Sequence, residues 1–262
     1  MFLISSPLEQ FQILPIFNFT ISNFDFSITN ATIIISIGLI SFTIILNLLL
    51  SKKRNFYLAP NRIQYVLEVI YGVIFGLLND NVGSVGKSFF PYVFSLFVFI
   101  LISNIIGLVP YSFTITSHLI VTFALALMTF VGINLICVRE HGINILSLFL
   151  PSGSSIMLAL LLVPIELVSY IFRPISLSVR LFANMMAGHT LLKVIAGFAW
   201  AMMFLSSDGD GFILFCIYSC VQFFPLVILV ILMFLELAVA VIQAYVFTIL
   251  TCIYLNDAIH LH

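Results

Sequence analysis

The reactive side chains of this chain gather in one stretch. Between Pro174 and Lys193, Arg180, Asn184, His189 and Lys193 interrupt a sequence that is otherwise apolar for many residues on both sides. An ionisable group at that depth in hydrocarbon is costly and normally faces a water-filled cavity or a partner. Arg180 is the most demanding, because a guanidinium cannot shed its proton to escape the cost. Glu166, Arg173 and Arg180 are spaced by seven, so each lies only about 20° around from the last on one helix face. Asn184 continues that side by a further turn, whereas His189 points to roughly the opposite one. A second polar stripe, Glu236, Gln243 and Asp257, recurs at spacings of seven and fourteen. Carboxylates and a histidine can relay protons, while an arginine keeps its own. The chemistry on offer is proton transfer past a fixed cation.

The elements that position these groups are membrane helices. Hydrophobic residues make up 63% of the 262 and charged ones 7%, against soluble averages of about 45–50% and 25%. The fold class is therefore an all-α polytopic membrane protein, one integral domain over 1–262. A net charge of -1 excludes a nucleic-acid footprint. Cys137, Cys216, Cys220 and Cys252 lie in apolar runs with no histidine or carboxylate to complete a metal set, so no metal or cofactor is expected. No Lys or Arg precedes Lys52, which predicts membrane entry without a conventional leader.

In order, residues 1–30 read as a short outer arm and 31–50 as the first span. Lys52-Lys53-Arg54 follows, marking the inner face. Residues 61–79, where Gln64, Glu68, Gly72 and Gly76 recur every fourth position, are expected to form a surface helix. A crossing there would put Lys87 outside. Residues 88–110 and 118–138 are spans, the second ending at Arg139-Glu140-His141-Gly142. With five crossings, Lys52, Lys53, Arg54, Arg62, Lys87 and Arg139 all fall inside, which orients the N-terminus out and the C-terminus in.

Residues 156–205 and 212–255 are too long. As helices they measure about 75 and 66 Å, against a hydrocarbon layer of about 30 Å. Each could hold two short spans, but no polar turn divides either. The expected alternative is a pair of long tilted helices, bent at Pro164, Pro174 and Pro225. The acidic turn at Asp208 and Asp210 would fold them into an antiparallel hairpin. In such a hairpin Glu166 faces Asp257 and Arg180 faces Gln243 in a single register, and His189 with Glu236 falls close to it. Two polar clusters then open to opposite sides, with Arg180 and Gln243 between them.

The string Leu177-Ser-Val-Arg180-Leu-Phe-Ala-Asn184-Met-Met-Ala-Gly188-His189 resembles the signature of subunit a of F-type ATP synthases. Glu236-Leu-Ala-Val-Ala-Val-Ile-Gln243-Ala resembles that family's second signature, in its last helix. The order of segments fits too, so the likeness covers nearly the whole chain. It implies a membrane stator that passes protons to and from a rotating c-ring, coupling proton motive force to ATP synthesis. The ATP chemistry would lie on other chains, and no phosphate loop of the G-x-x-x-x-G-K-[ST] type occurs here. Implied partners are the c-ring, the peripheral-stalk subunit b, other membrane-sector subunits and lipid.

Carried onto this chain, the resemblance makes Arg180 the essential charge separating two half-channels, with Asn184 and Gln243 beside it. His189 and Glu236 become the outer proton path, and Glu166 and Asp257 the inner one. A histidine at 189 paired with a glutamate at 236 is similar to the mitochondrial pattern of the family. That implies the mitochondrial inner membrane, with the N-terminus on the intermembrane-space side and the C-terminus on the matrix side. An electron carrier is disfavoured because His118, His141 and His189 lie singly on different elements. A secondary transporter is disfavoured by the lack of an internal repeat.

Overall fold

A computed structural model describes residues 7–18, 20–21, 24–25, 27–50, 62–109, 112–142, 156–204 and 212–259. The basic triplet Lys52-Lys53-Arg54, the segment holding Pro151 and Gly153, the Asp208–Asp210 turn and the side chains of Cys216 and Cys220 lie outside the described residues.

The arm pairs β1 (Pro15–Phe17) with β4 (Ile28–Thr29), and β2 (Thr20–Ile21) with β3 (Phe24–Asp25), both antiparallel. Asn30 then starts α1 (Asn30–Leu50), its side chain bonding the arm at Leu14 and Gln12. There follow α2 (Arg62–Val82), α3 (Phe90–Gly107), α4 (Leu119–His141), α5 (Ile156–Phe204) and α6 (Phe212–Ile259). Short 3-10 segments at Gly83–Phe89 and Ile115–Ser117 join α2 to α3 and α3 to α4. Gly142, at φ +56°, closes α4 in a backbone region that L side chains rarely adopt.

Among the described residues, five helical stretches are long and apolar enough to cross a membrane: Gln64–Val82, Val85–Gly107, Leu119–His141, Leu161–Ala201 and Phe223–Ile259. The described part of α1, Asn30–Ile44, is apolar but shorter. Helix α2 is among the five by length and composition alone, so both the expected surface helix and a crossing fit it. Its last turn carries Asn79, Asp80 and Asn81, and in its first two turns Gln64 bonds Glu68 at 2.7 Å. Beyond them Ile74, Leu77, Leu78 and Val82 are buried, and the helix packs on α3 and α6.

Neither long segment divides. Helix α5 runs through Pro164 and Pro174, and α6 through Pro225, although an internal proline forfeits a backbone hydrogen bond. Burial of flanking side chains offsets that loss: Leu177, Leu181, Ala244, Phe247 and Leu255 join Ile74, Val93 and Ile100 in one core. The two helices pack antiparallel, as their facing pairs show (below). Helix α4 lies antiparallel along only the first half of α5, through Phe130–Tyr170 and Thr122–Ser178 contacts. On α6, Asn104 of α3 reaches Ala240. The hairpin therefore extends well beyond the shorter helices that support it.

Candidate functional site

Three polar pairs cross the α5–α6 interface. Toward the hairpin turn, His189 Nδ1 stands 3.5 Å from Glu236 Oε1, with both residues buried (8% and 4% exposed). A buried carboxylate beside an imidazole is a place where a proton can rest on either partner. The close approach depends on Gly188. A Cβ built there would lie 2.7 Å from Glu236 Oε1 and 3.1 Å from its Cδ, so only a hydrogen leaves room for the carboxyl.

In the middle, Asn184 Nδ2 donates to Gln243 Oε1 at 2.7 Å. Gln243 is buried, whereas Arg180, one turn before Asn184, is exposed on the open side of the hairpin. No side chain among the described residues bonds to Arg180. Apolar Val179, Val241 and Ile242 are exposed near these positions. A permanent cation on an otherwise apolar face must meet water or an anionic partner.

At the third level Arg173 pairs with Asp257 at 3.4 Å. Its guanidinium also lies over two aromatic rings, Tyr170 at 5.2 Å and Tyr254 at 5.0 Å. Tyr170 in turn donates to Asn134 Oδ1 of α4. Arg173, Asp257, Tyr170 and Tyr254 line a small cleft with Phe130, Ile133 and Cys137. Glu166 is half-buried on α5, and among the described residues it forms no ion pair.

The pairing differs from the sequence-based register in two places. Asp257 meets Arg173 rather than Glu166, and Gln243 meets Asn184 rather than Arg180. Side-chain direction explains the shift. Every Cβ leans toward its helix N-terminus, so in an antiparallel pair facing side chains lean past one another. Contacts form between higher-numbered residues than backbone counting predicts, and the longest side chain, Arg173, shows the largest displacement.

Four positions carried no role in the sequence reading. Asn104, visible as one amide in an apolar span, donates to the Ala240 carbonyl at 3.2 Å. His141 Nε2 lies 2.9 Å from the Ile259 carbonyl, tying the end of α4 to the end of α6. His118, just before α4, stacks on Phe113, and burial pushes its imidazole below the ordinary range. Gly188 had no signal beyond its place in the motif. Among the described residues no group of three His, Cys, Asp or Glu side chains could hold a metal ion.

Comparison with known proteins identifies the family. The family described as ATP synthase A chain matches residues 31–256. "ATP synthase subunit a" of Pylaiella littoralis is 58% identical over 258 residues, 98% of this chain and 99% of that one. The protein of the same name from Chondrus crispus is 48% identical over 264 residues, covering 100% and 98%. That from Brassica napus is 44% identical over 261 residues, covering 98% and 97%. Matched from its first span to its last polar stripe, the chain belongs to the ATP synthase A chain family, the proton-translocating component of the membrane sector and not the catalytic chain.

Proposed function

We propose that the chain conducts protons through two offset half-channels on either side of Arg180, to and from a rotating c-ring. The observation that carries this reading is the order of groups along the hairpin. A buried His189–Glu236 pair and a half-buried Arg173–Asp257 pair are separated by an exposed arginine. His189 and Glu236 form the outer path, and Glu166 and Asp257 the inner one. Asn184 and Gln243, bonded to each other, hold the ground between.

A continuous row of relays would leak. A proton approaching Arg180 meets like charge in a poorly screened setting, which blocks direct passage. A ring carboxylate brought against Arg180 is held anionic, so its proton leaves to the inner groups. Once it has moved on, it reloads from His189 and Glu236. Each proton falling through 100 mV releases about 2.3 kcal/mol, which biases the ring's rotation. A planar guanidinium can span two carboxylate oxygens and stays charged in a dry contact, whereas a lysine does neither.

The seat of this activity is the mitochondrial inner membrane. The N-terminus lies on the intermembrane-space side and the C-terminus on the matrix side, since Arg62, Lys87 and Arg139 then fall inside. Helices of about 74 and 72 Å fit a layer of about 30 Å only if steeply tilted, which lays the Arg180 face along the ring. Peripheral-stalk subunit b and other membrane-sector subunits cover the remaining apolar flanks.

The test uses reconstituted vesicles, measuring ATP-driven acidification and passive proton conductance. Arg180→Lys should abolish pumping although formal charge is kept. Arg180→Ala should abolish it and raise passive leakage. Normal pumping by Arg180→Lys would show that charge alone suffices, and normal pumping by Arg180→Ala would remove the residue from the mechanism.

A further inference from the structure

Seven buried side-chain atoms have no hydrogen-bond partner among the described residues. They are Ser103 Oγ, Asn104 Oδ1, Thr116 Oγ1, His118 Nε2, His189 Nε2 and both oxygens of Glu236. Their distribution is not scattered. Ser103 and Asn104 belong to α3, Thr116 and His118 to the connection that joins α3 to α4, and His189 and Glu236 to the hairpin. Helix α3 packs on α6, and the connection packs on both α3 and α5. Asn104 is fixed at Ala240, one turn along α6 from Glu236. Five of the six residues are more than nine-tenths buried. Buried polar atoms that lack protein partners are satisfied by enclosed water.

His118 is the exception in burial and the reason for the inference. Its ring is only half-buried as a residue, yet Nε2 is enclosed. Phe113 stacks on it with ring centroids 4.8 Å apart and planes inclined by 22°. The imidazole is thus partly open to the exterior while one of its nitrogens is enclosed.

We infer that His118 is a further proton-carrying residue of the outer path, handing protons to the Glu236–His189 pair through water held by Ser103, Asn104 and Thr116. This rests on the reading of Glu236 and His189 as the outer path. The outward ring nitrogen takes a proton and forms an imidazolium. The Nε2 proton then passes to the enclosed water, and a proton from that water's far end reaches Glu236. One proton enters and one is delivered, leaving the ring as the Nδ1–H tautomer. A turn of the side chain about its Cα–Cβ and Cβ–Cγ bonds then presents that N–H to the enclosed water and leaves Nε2 free to take the next proton.

The experiment measures ATP synthesis by the whole enzyme in vesicles under an imposed proton motive force. His118→Ala should slow synthesis several-fold, and imidazole on the outer side should restore most of it. Pyrazole, a ring of the same size that does not take protons near neutrality, should restore nothing. His118→Gln, which fills the space but carries no proton, should be equally slow and insensitive to imidazole. Normal synthesis by either variant, or equal restoration by both small rings, would overturn the proposal. If His118→Ala fails to assemble, the rate of His118→Gln decides alone. Glu236→Gln serves as the control for the underlying reading: full synthesis there would sink the outer path itself. Loss there with normal His118 variants would sink only the role of His118.

Discussion

Replacing Gly188 with alanine adds a methyl group where the fold has space only for hydrogen. The new Cβ would stand 2.7 Å from Glu236 Oε1, 3.1 Å from Cδ and 3.3 Å from Cγ. Non-bonded heavy atoms sit best at about 3.5–4.0 Å, so the carboxyl must retreat by most of an ångström. Its contact with His189 is already 3.5 Å, near the limit for direct transfer, and retreat breaks it. The backbone does not object, because alanine favours a helix interior over glycine by about 1 kcal/mol. Overpacking a buried site costs about 1–3 kcal/mol, so the net change in stability is small. Proton movement should suffer far more, since misplacing a transfer group by about 1 Å can cost a hundredfold. The assay is ATP-driven acidification by vesicles, normalised to assembled complex in the same preparation. A second change, Glu236→Asp, shortens the side chain by one bond of about 1.5 Å and should restore part of the flux in the Gly188→Ala background. Wild-type pumping by Gly188→Ala at normal assembly would refute the reasoning, as would a double variant no better than the single.

Other expectations follow from the remaining pairs. Exchanging the residue types, His189→Glu with Glu236→His, should retain more proton flux than either single change; equal loss in all three would mean that the two do not act together. Asn184→Ala strips the buried Gln243 amide of its 2.7 Å bond, which should cost about 1–3 kcal/mol and be read as a lower unfolding temperature of the complex. Tyr254→Leu removes one face of the Arg173 clamp and should cost about 1 kcal/mol. His141→Ala frees the Ile259 carbonyl and should speed amide exchange in the last turn of α6, with unchanged exchange there counting against the tie.

The sequence by itself determined the class and the polar stripes. Apolar runs of spanning length leave a helix as the only economical structure in lipid, and the lack of a polar turn in α5 and α6 already favoured one long helix over two short spans in each. Periodicity also placed Glu236, Gln243 and Asp257 on one face, because azimuth around a helix depends only on the count of residues. Two signatures sufficed to identify the family. What the count could not supply was axial register between helices. Only the packed structure set Arg173 against Asp257 and Asn184 against Gln243, since the reach and lean of each side chain decide which groups meet. The role of α2 was equally undecided, because polar groups mark both of its ends while the apolar stretch between them packs on α3 and α6. Gly188 carries the sharpest case: a missing methyl group has no periodic signal, and its meaning exists only where Glu236 from another helix fills the space.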